Sequence, residues 1–116
     1  MKRKLTISSS PNWKAGLREA ARKAAKGMES GRYQGEVLNF ESPAVLFGHL
    51  TEKRWDLIRL LQAKEPMGVR ELARQAGRGV RRVHDDVAVL LELGIFEKNE
   101  KGQLLCPYVD MHVMAA

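Results

Sequence analysis

The sequence has a single cysteine, Cys106, and therefore no internal disulfide, which agrees with a reducing compartment. No Lys or Arg lies within four residues of Cys106, which favours a packed small hydrophobe near a strand end over a redox sensor. The three histidines, His49, His84 and His112, are scattered and lack metal-ligand spacing. No Gly-rich phosphate loop and no nucleophile elbow is present, and the glycines at 27, 31 and 35 read as turns. Aromatic residues are few, and Trp13 and Trp55 read as packing anchors rather than ligand-stacking platforms. No apolar run approaches the roughly 20 residues that span a bilayer, and Leu5–Ser10 is too short and polar for a signal-peptide core. These absences lead to the expectation of a cytoplasmic protein that is not an enzyme, holds no metal or cofactor, and does not enter a membrane.

What is present fits one compact domain with an appended arm: 116 residues, 44% hydrophobic and 29% charged, with no low-complexity tract. The formal charge of +6 is unevenly distributed. Residues 1–35 carry nine Lys/Arg and two Glu, whereas residues 36–116 carry eleven Lys/Arg and twelve Asp/Glu. A basic end of this kind either meets a polyanion or forms a solvated helix face, and charge alone does not separate the two.

The N-terminal residues alternate around Leu5 and Ile7 as a short strand over Lys4–Ser8. Ser10 and Pro11 then supply an N-cap and a first helical residue. Trp13, Leu17, Ala20, Ala21, Ala24, Ala25 and Met28 continue as one helical stripe, with Lys14, Arg18, Arg22, Lys23 and Lys26 mostly opposite. Residues 31–41 read as a connector with an extended stretch at Glu36–Phe40, and Ser42-Pro43 opens a short apolar helix to His49. A soft boundary is therefore expected at 41/42. The arm, 1–41, is expected to serve dimerisation or partner binding.

Beyond Leu50 the pattern sharpens. Thr51 is placed to cap a helix running to about Lys64, with Trp55, Leu57, Ile58, Leu60 and Leu61 buried and Glu65-Pro66 ending it. Gly68–Ala76 is expected as a second helix, with Val69, Leu72, Ala73 and Ala76 on one face, followed by a tight turn at Gly77-Arg78-Gly79. A third helix, Val80–Leu93, buries Val83, Val87, Leu90 and Leu91, and Gly94 is placed for a left-handed C-cap. Ile95–Lys98 and Gln103–Cys106 flank the hairpin signal Asn99-Glu100-Lys101-Gly102. The tail Val109–Val113 alternates again and is free to pair with the Lys4–Ser8 strand, within a chain or across a dimer. The expected class is α+β, mainly helical. It comprises a winged helix-turn-helix over 42–116, an N-terminal strand-helix arm and a C-terminal strand.

The run Met67–Gly77, then Val83-His84-Asp85-Asp86-Val87, then Leu90–Phe96, resembles the MarR- and ArsR-like winged-helix transcriptional regulators. Over its whole length, including Pro107-Tyr108, the chain also resembles a family of small DNA-binding proteins of archaea and bacteria. That resemblance implies an antitoxin-like repressor encoded beside a partner protein. The residues give independent support. A recognition helix presents the residues at its N-terminal end to base edges in the major groove. Arg81 and Arg82 stand there, off the 83/87/90 stripe, and arginine suits guanine and phosphate alike. Arg70, Arg74 and Arg78, with Lys98 and Lys101 on the hairpin, are the expected phosphate contacts. Asp85 lies on the same groove face, where an acid repels phosphate yet can accept from cytosine N4. Asp86 is placed to bridge to a neighbouring arginine, and His84 reads as a helix-surface histidine.

These readings lead to a double-stranded-DNA-binding transcriptional regulator, a homodimeric repressor joined through its terminal segments. The competing explanation of the arginines is a solvated helix face. The competing function is a protein-interaction module, an antitoxin that neutralises a toxin-like partner through the N-terminal arm.

Overall fold

Leu5, Ile7 and Ser9 alternate inward along β1, Arg3–Ser9, and all three are buried. The computed structural model describes residues 3–9 and 35–115. The helix expected from Pro11 to Met28, with its basic face, lies outside the described residues. Those described form an α+β arrangement of four helices, a three-stranded sheet and a two-stranded hairpin. They divide into two compact units, one of residues 3–9, 35–48 and 110–115, the other His49–Val109.

In the first unit, β2 (Glu36–Phe40) runs parallel to β1, with Leu5 opposite Glu36, Ile7 opposite Leu38 and Ser9 opposite Phe40. The register is tied at both ends. Arg3 donates to both carboxylate oxygens of Glu36, at 3.0 Å from Nε and 2.7 Å from Nη2. Ser8 Oγ donates to Asn39 Oδ1 at 2.7 Å. The stretch expected only as extended connector is thus a sheet strand. β5 (Tyr108–Ala115) is the other neighbour of β1, so the expected pairing of the C-terminal tail with the N-terminal strand occurs within one chain. Helix α1 (Pro43–His49) starts at the expected serine: Ser42 Oγ accepts from the Val45 N–H at 3.2 Å. Leu46 is its buried residue.

The second unit is built from α2 (Glu52–Leu61), α3 (Val69–Ala76), α4 (Val80–Glu92) and the hairpin β3–β4 (Glu97–Lys98, Leu104–Leu105). Its core takes Leu57, Ile58 and Leu61 from α2, Leu72 and Ala73 from α3, and Val83, Val87 and Leu90 from α4. Ile95, Phe96 and Leu104 are buried as well. The helical spacing of these residues is what places each apolar stripe on one side, and burying each large one contributes about 1.5–3 kcal/mol. Trp55, Leu60, Val69, Ala76 and Leu91, also expected inside, are only half-buried at the edges of that core.

Two elements are shorter than their patterns suggest. Helix α2 stops at Leu61 rather than Lys64, because tertiary partners take Gln62 into extended conformation. Gln62 bridges to Cys106, its amide donates to the Tyr108 carbonyl at 3.1 Å, and Ala63 follows at φ +59°. The hairpin strands begin at Glu97 rather than Ile95, since the N–H groups of Ile95 and Phe96 both donate to the Leu90 carbonyl. That arrangement closes α4 through Gly94 at φ +79°, the left-handed cap its position called for. Beyond the hairpin, Leu104 also pairs antiparallel with Met67 on its other side, exchanging N–H···O bonds of 2.7 and 3.0 Å. Among the described residues no helix is long and apolar enough to cross a membrane.

Candidate nucleic-acid interface

Helix α3 is terminated by geometry rather than by sequence polarity. Gly77 adopts φ +67°, its N–H donates to the Arg74 carbonyl at 3.2 Å, and the Arg78 N–H reaches back to the Ala73 carbonyl at 3.1 Å. This six-to-one, five-to-two pair of bonds turns the chain sharply within Gly77–Gly79 and starts α4 at Val80. Gly68 and Gly79 are the N-caps of α3 and α4, and neither supplies a side-chain cap.

The first turn of α4 carries no acid, and it carries Arg81 and Arg82. With Val83, Val87 and Leu90 buried, a period of 3.6 residues sets Arg81 and Asp85 opposite the core, and Arg82 and His84 on its two flanks. All four are exposed. Among the described residues, the side chains of Arg81, Arg82, Asp85 and Arg70 have no hydrogen-bond or ion-pair partner. The other expected cations are disposed differently. Arg74 is exposed but paired along α3: its Nε donates to Glu71 Oε2 at 2.8 Å and its Nη2 to Oε1. The hydrogen bonds from Arg74, and then from Gln75, hold the Glu71 carboxyl down at about 2.

Arg78 is turned inward. Its Nη2 donates to Asp86 Oδ2 at 2.7 Å, while Asp86 Oδ1 accepts from Nε of Arg54 on α2 at 3.0 Å. Arg54 Nη1 also donates to the His49 carbonyl at 2.7 Å. The three side chains are 15–20% exposed. Burial opposes ionisation of Asp86, but the hydrogen bonds and charges of Arg78 and Arg54 outweigh it and hold the carboxyl below its ordinary value. The bridge from Asp86 to an arginine was readable from their closeness in sequence. The part of Arg54, 32 residues away, was not, and no local pattern signals it.

The hairpin carries Lys98 and Lys101, both exposed, with ammonium groups that have no partner among the described residues. Its tip is closed by Asn99, whose Oδ1 accepts from the N–H of Lys101 at 3.0 Å and of Gln103 at 2.9 Å. Gly102, at φ +77°, donates its N–H to the Asn99 carbonyl at 3.0 Å and returns the chain to the ladder. Between α4 and the hairpin lies a cleft of about 280 Å³ lined by Val69, His84, Val87, Leu91, Lys98 and Leu104. No group of three or more His, Cys, Asp or Glu side chains placed to hold a metal occurs among the described residues. The Cys106 thiol is half-buried, donates to the Tyr108 carbonyl at 3.8 Å, and is pushed upward in pKa by burial.

The model of the HVO_A0114 family matches residues 49–113, more than half of the sequence. The chain belongs to the HVO_A0114 family. No curated protein and no solved structure matches it. The HVO_A0114 span begins at His49, where the second compact unit begins, and takes in α2–α4, the hairpin and all but the end of β5. It contains all eight residues expected to meet DNA, and it leaves out β1 and β2.

Proposed function

We propose that this HVO_A0114 protein is a transcriptional regulator that binds double-stranded DNA, acting as a dimeric repressor, with His49–Val109 as a winged helix-turn-helix. The observation that carries the reading is the pair Arg81 and Arg82, exposed in an acid-free first turn of α4 and unpartnered among the described residues. A helix bearing two free guanidinium groups at that end suits the major groove, where arginine forms bidentate bonds to guanine. The element order supports it: helix, bridging residue Met67, helix, glycine turn, helix, then a hairpin whose Leu104 pairs with Met67. In this reading α4 is the recognition helix and β3–β4 the wing. Arg70, Lys98 and Lys101 contact phosphate, Arg74 joins them when phosphate displaces Glu71, and Asp85 selects against bases that offer no donor. A single winged helix reads a short half-site, so two copies related by a two-fold axis are proposed to bind together.

The test is fluorescence anisotropy with duplex from upstream of the protein's own gene and a scrambled duplex, across a salt series. Tight, selective binding with a steep salt slope supports the proposal, and no binding to either duplex at low salt refutes it. Arg82→Ala is expected to relax sequence preference, whereas Arg74→Ala weakens all duplexes alike. Light scattering that finds a monomer at micromolar concentration would remove the dimer.

A second reading is favoured by one observation, the excess of nine Lys/Arg over two Glu in residues 1–35. There the basic arm grips an acidic partner protein, as an antitoxin grips a toxin. Nuclease-insensitive co-purification with the product of a neighbouring gene distinguishes it.

A further inference from the structure

We infer that Asp86 is a positioning residue for the interface proposed above, holding Arg78 away from the nucleic acid and fixing how α4 is presented. The inference rests on the DNA-binding reading of the His49–Val109 unit. Each oxygen of Asp86 is taken by an arginine from a different element: Oδ1 by Arg54 of α2 at 3.0 Å, Oδ2 by Arg78 of the α3–α4 turn at 2.7 Å. One carboxylate on α4 thereby ties the helix to the element beneath it and to the turn that launches it.

Stability is a poor explanation for this arrangement. Desolvated ion pairs recover little more than they cost, and apolar replacements commonly do as well. Here the pairing is also incomplete, because Arg78 Nη1 is buried without a hydrogen-bond partner among the described residues. What the triad provides instead is register and charge. The geometry fixes the first turn of α4, so Arg81 and Arg82 project from a defined base.

The charge effect is separate. Five arginines fall between residues 70 and 82, and an attraction for phosphate that ignores sequence grows with each cation that reaches the backbone. Asp86 occupies Nη2 of Arg78, a position that a phosphate oxygen would otherwise fill. It subtracts Arg78 from the sequence-independent part of the affinity and leaves Arg81 and Arg82 to discriminate. The residue acts through the arginines and touches no base itself.

The experiment uses the full chain with the upstream and scrambled duplexes. Asp86→Asn is expected to bind the scrambled duplex about tenfold more tightly and to steepen the salt slope by about 0.9 for each arginine released. The ratio of specific to scrambled affinity falls accordingly, and Asp86→Glu, which keeps the carboxylate, restores it. Arg78→Gln, read independently of whether Asp86→Asn folds, leaves the parent salt slope unchanged. A flattened slope in Arg78→Gln would mean that Arg78 already contacts phosphate, and it overturns the inference. Equal weakening of both duplexes by Asp86→Asn at an unchanged slope overturns it too, since a scaffold residue behaves that way.

If the parent chain binds no duplex, the DNA reading falls and the clamp is judged alone by ¹⁵N spectra of the arginine side chains. Slowly exchanging Arg54 and Arg78 guanidinium signals that vanish in Asp86→Asn uphold it. Signals identical in the two proteins overturn it.

Discussion

Replacing Arg81 and Arg82 together by alanine tests the proposed interface most directly, because the structure shows which of the candidate cations have side chains free among the described residues. Arg70, Arg81, Arg82, Lys98 and Lys101 are exposed and unpartnered among the described residues, whereas Arg74 and Arg78 are engaged by Glu71 and Asp86. Each phosphate neutralised contributes about 0.9 to the slope of log affinity against log salt, so the five free cations, with Arg74 once phosphate has displaced Glu71, contribute about −5.4 per protomer. Between about 50 and about 200 mM salt this amounts to a roughly 1800-fold loss of affinity. The double variant keeps four of the six, for a slope of about −3.6 and a loss of about 150-fold over the same range. The assay is fluorescence anisotropy at five or so salt concentrations, with the protein's helical content checked by circular dichroism. An unchanged slope in the double variant refutes the placement of Arg81 and Arg82 at the DNA. A parent slope beyond about −6 would instead mean that further cations, such as Arg78 released from Asp86, reach phosphate on binding.

Other expectations concern the fold that holds these residues. Leu90 is fully buried and its carbonyl closes the end of α4, so Leu90→Ala is expected to cost about 2–5 kcal/mol in urea unfolding. A loss under about 1 kcal/mol would place Leu90 outside the core. Ala63 sits at φ +59° on an exposed turn, where glycine is unstrained. Set against the extra freedom glycine has when unfolded, Ala63→Gly is expected to stabilise by up to about 1 kcal/mol, and a clear destabilisation refutes the strain argument. Glu71, held down at about 2 by Arg74 and Gln75, ionises more readily folded than unfolded. Its contribution is therefore complete above the ordinary glutamate range and disappears as pH falls towards 2. An NMR titration of the Glu71 carboxyl with a midpoint near that of a free glutamate would contradict it.

Much of the helical unit was legible because its boundaries are set locally. Thr51 caps α2 with its own hydroxyl, which accepts from the Arg54 N–H, and Gly77 and Gly94 end α3 and α4 through positive φ that other residues adopt at a cost. The three buried residues of α4 follow from spacing alone. What escaped the sequence depends on partners far along the chain. Glu36–Phe40 reads as extended, but its parallel neighbour β1 lies about 30 residues earlier, and nothing local announces that pairing. Gln62 leaves the helix because of Cys106 and Tyr108, and Ile95 and Phe96 leave the strand because of Leu90. At the candidate interface, counting arginines located the basic cluster but not the division within it. Arg81 and Arg82 remain outside, Arg74 is paired on the surface by Glu71, and Arg78 is drawn in by Asp86, which Arg54 also holds.

The hairpin tip has a consequence for how fast and how tightly anything can be held there. Asn99 spends both ends of its amide inside the loop, the oxygen on two backbone N–H groups and the nitrogen on Gln103 Oε1 at 3.1 Å. Lys101 therefore stands on a backbone whose freedom is surrendered during folding, before any partner arrives. A loop ordered in advance forfeits little entropy on capture, so the attraction of its lysines is returned as residence time rather than spent on freezing the chain. Asn99→Ala leaves every charge in place and removes only that prior ordering, so its effect should fall on dissociation and on hydrogen exchange at the tip.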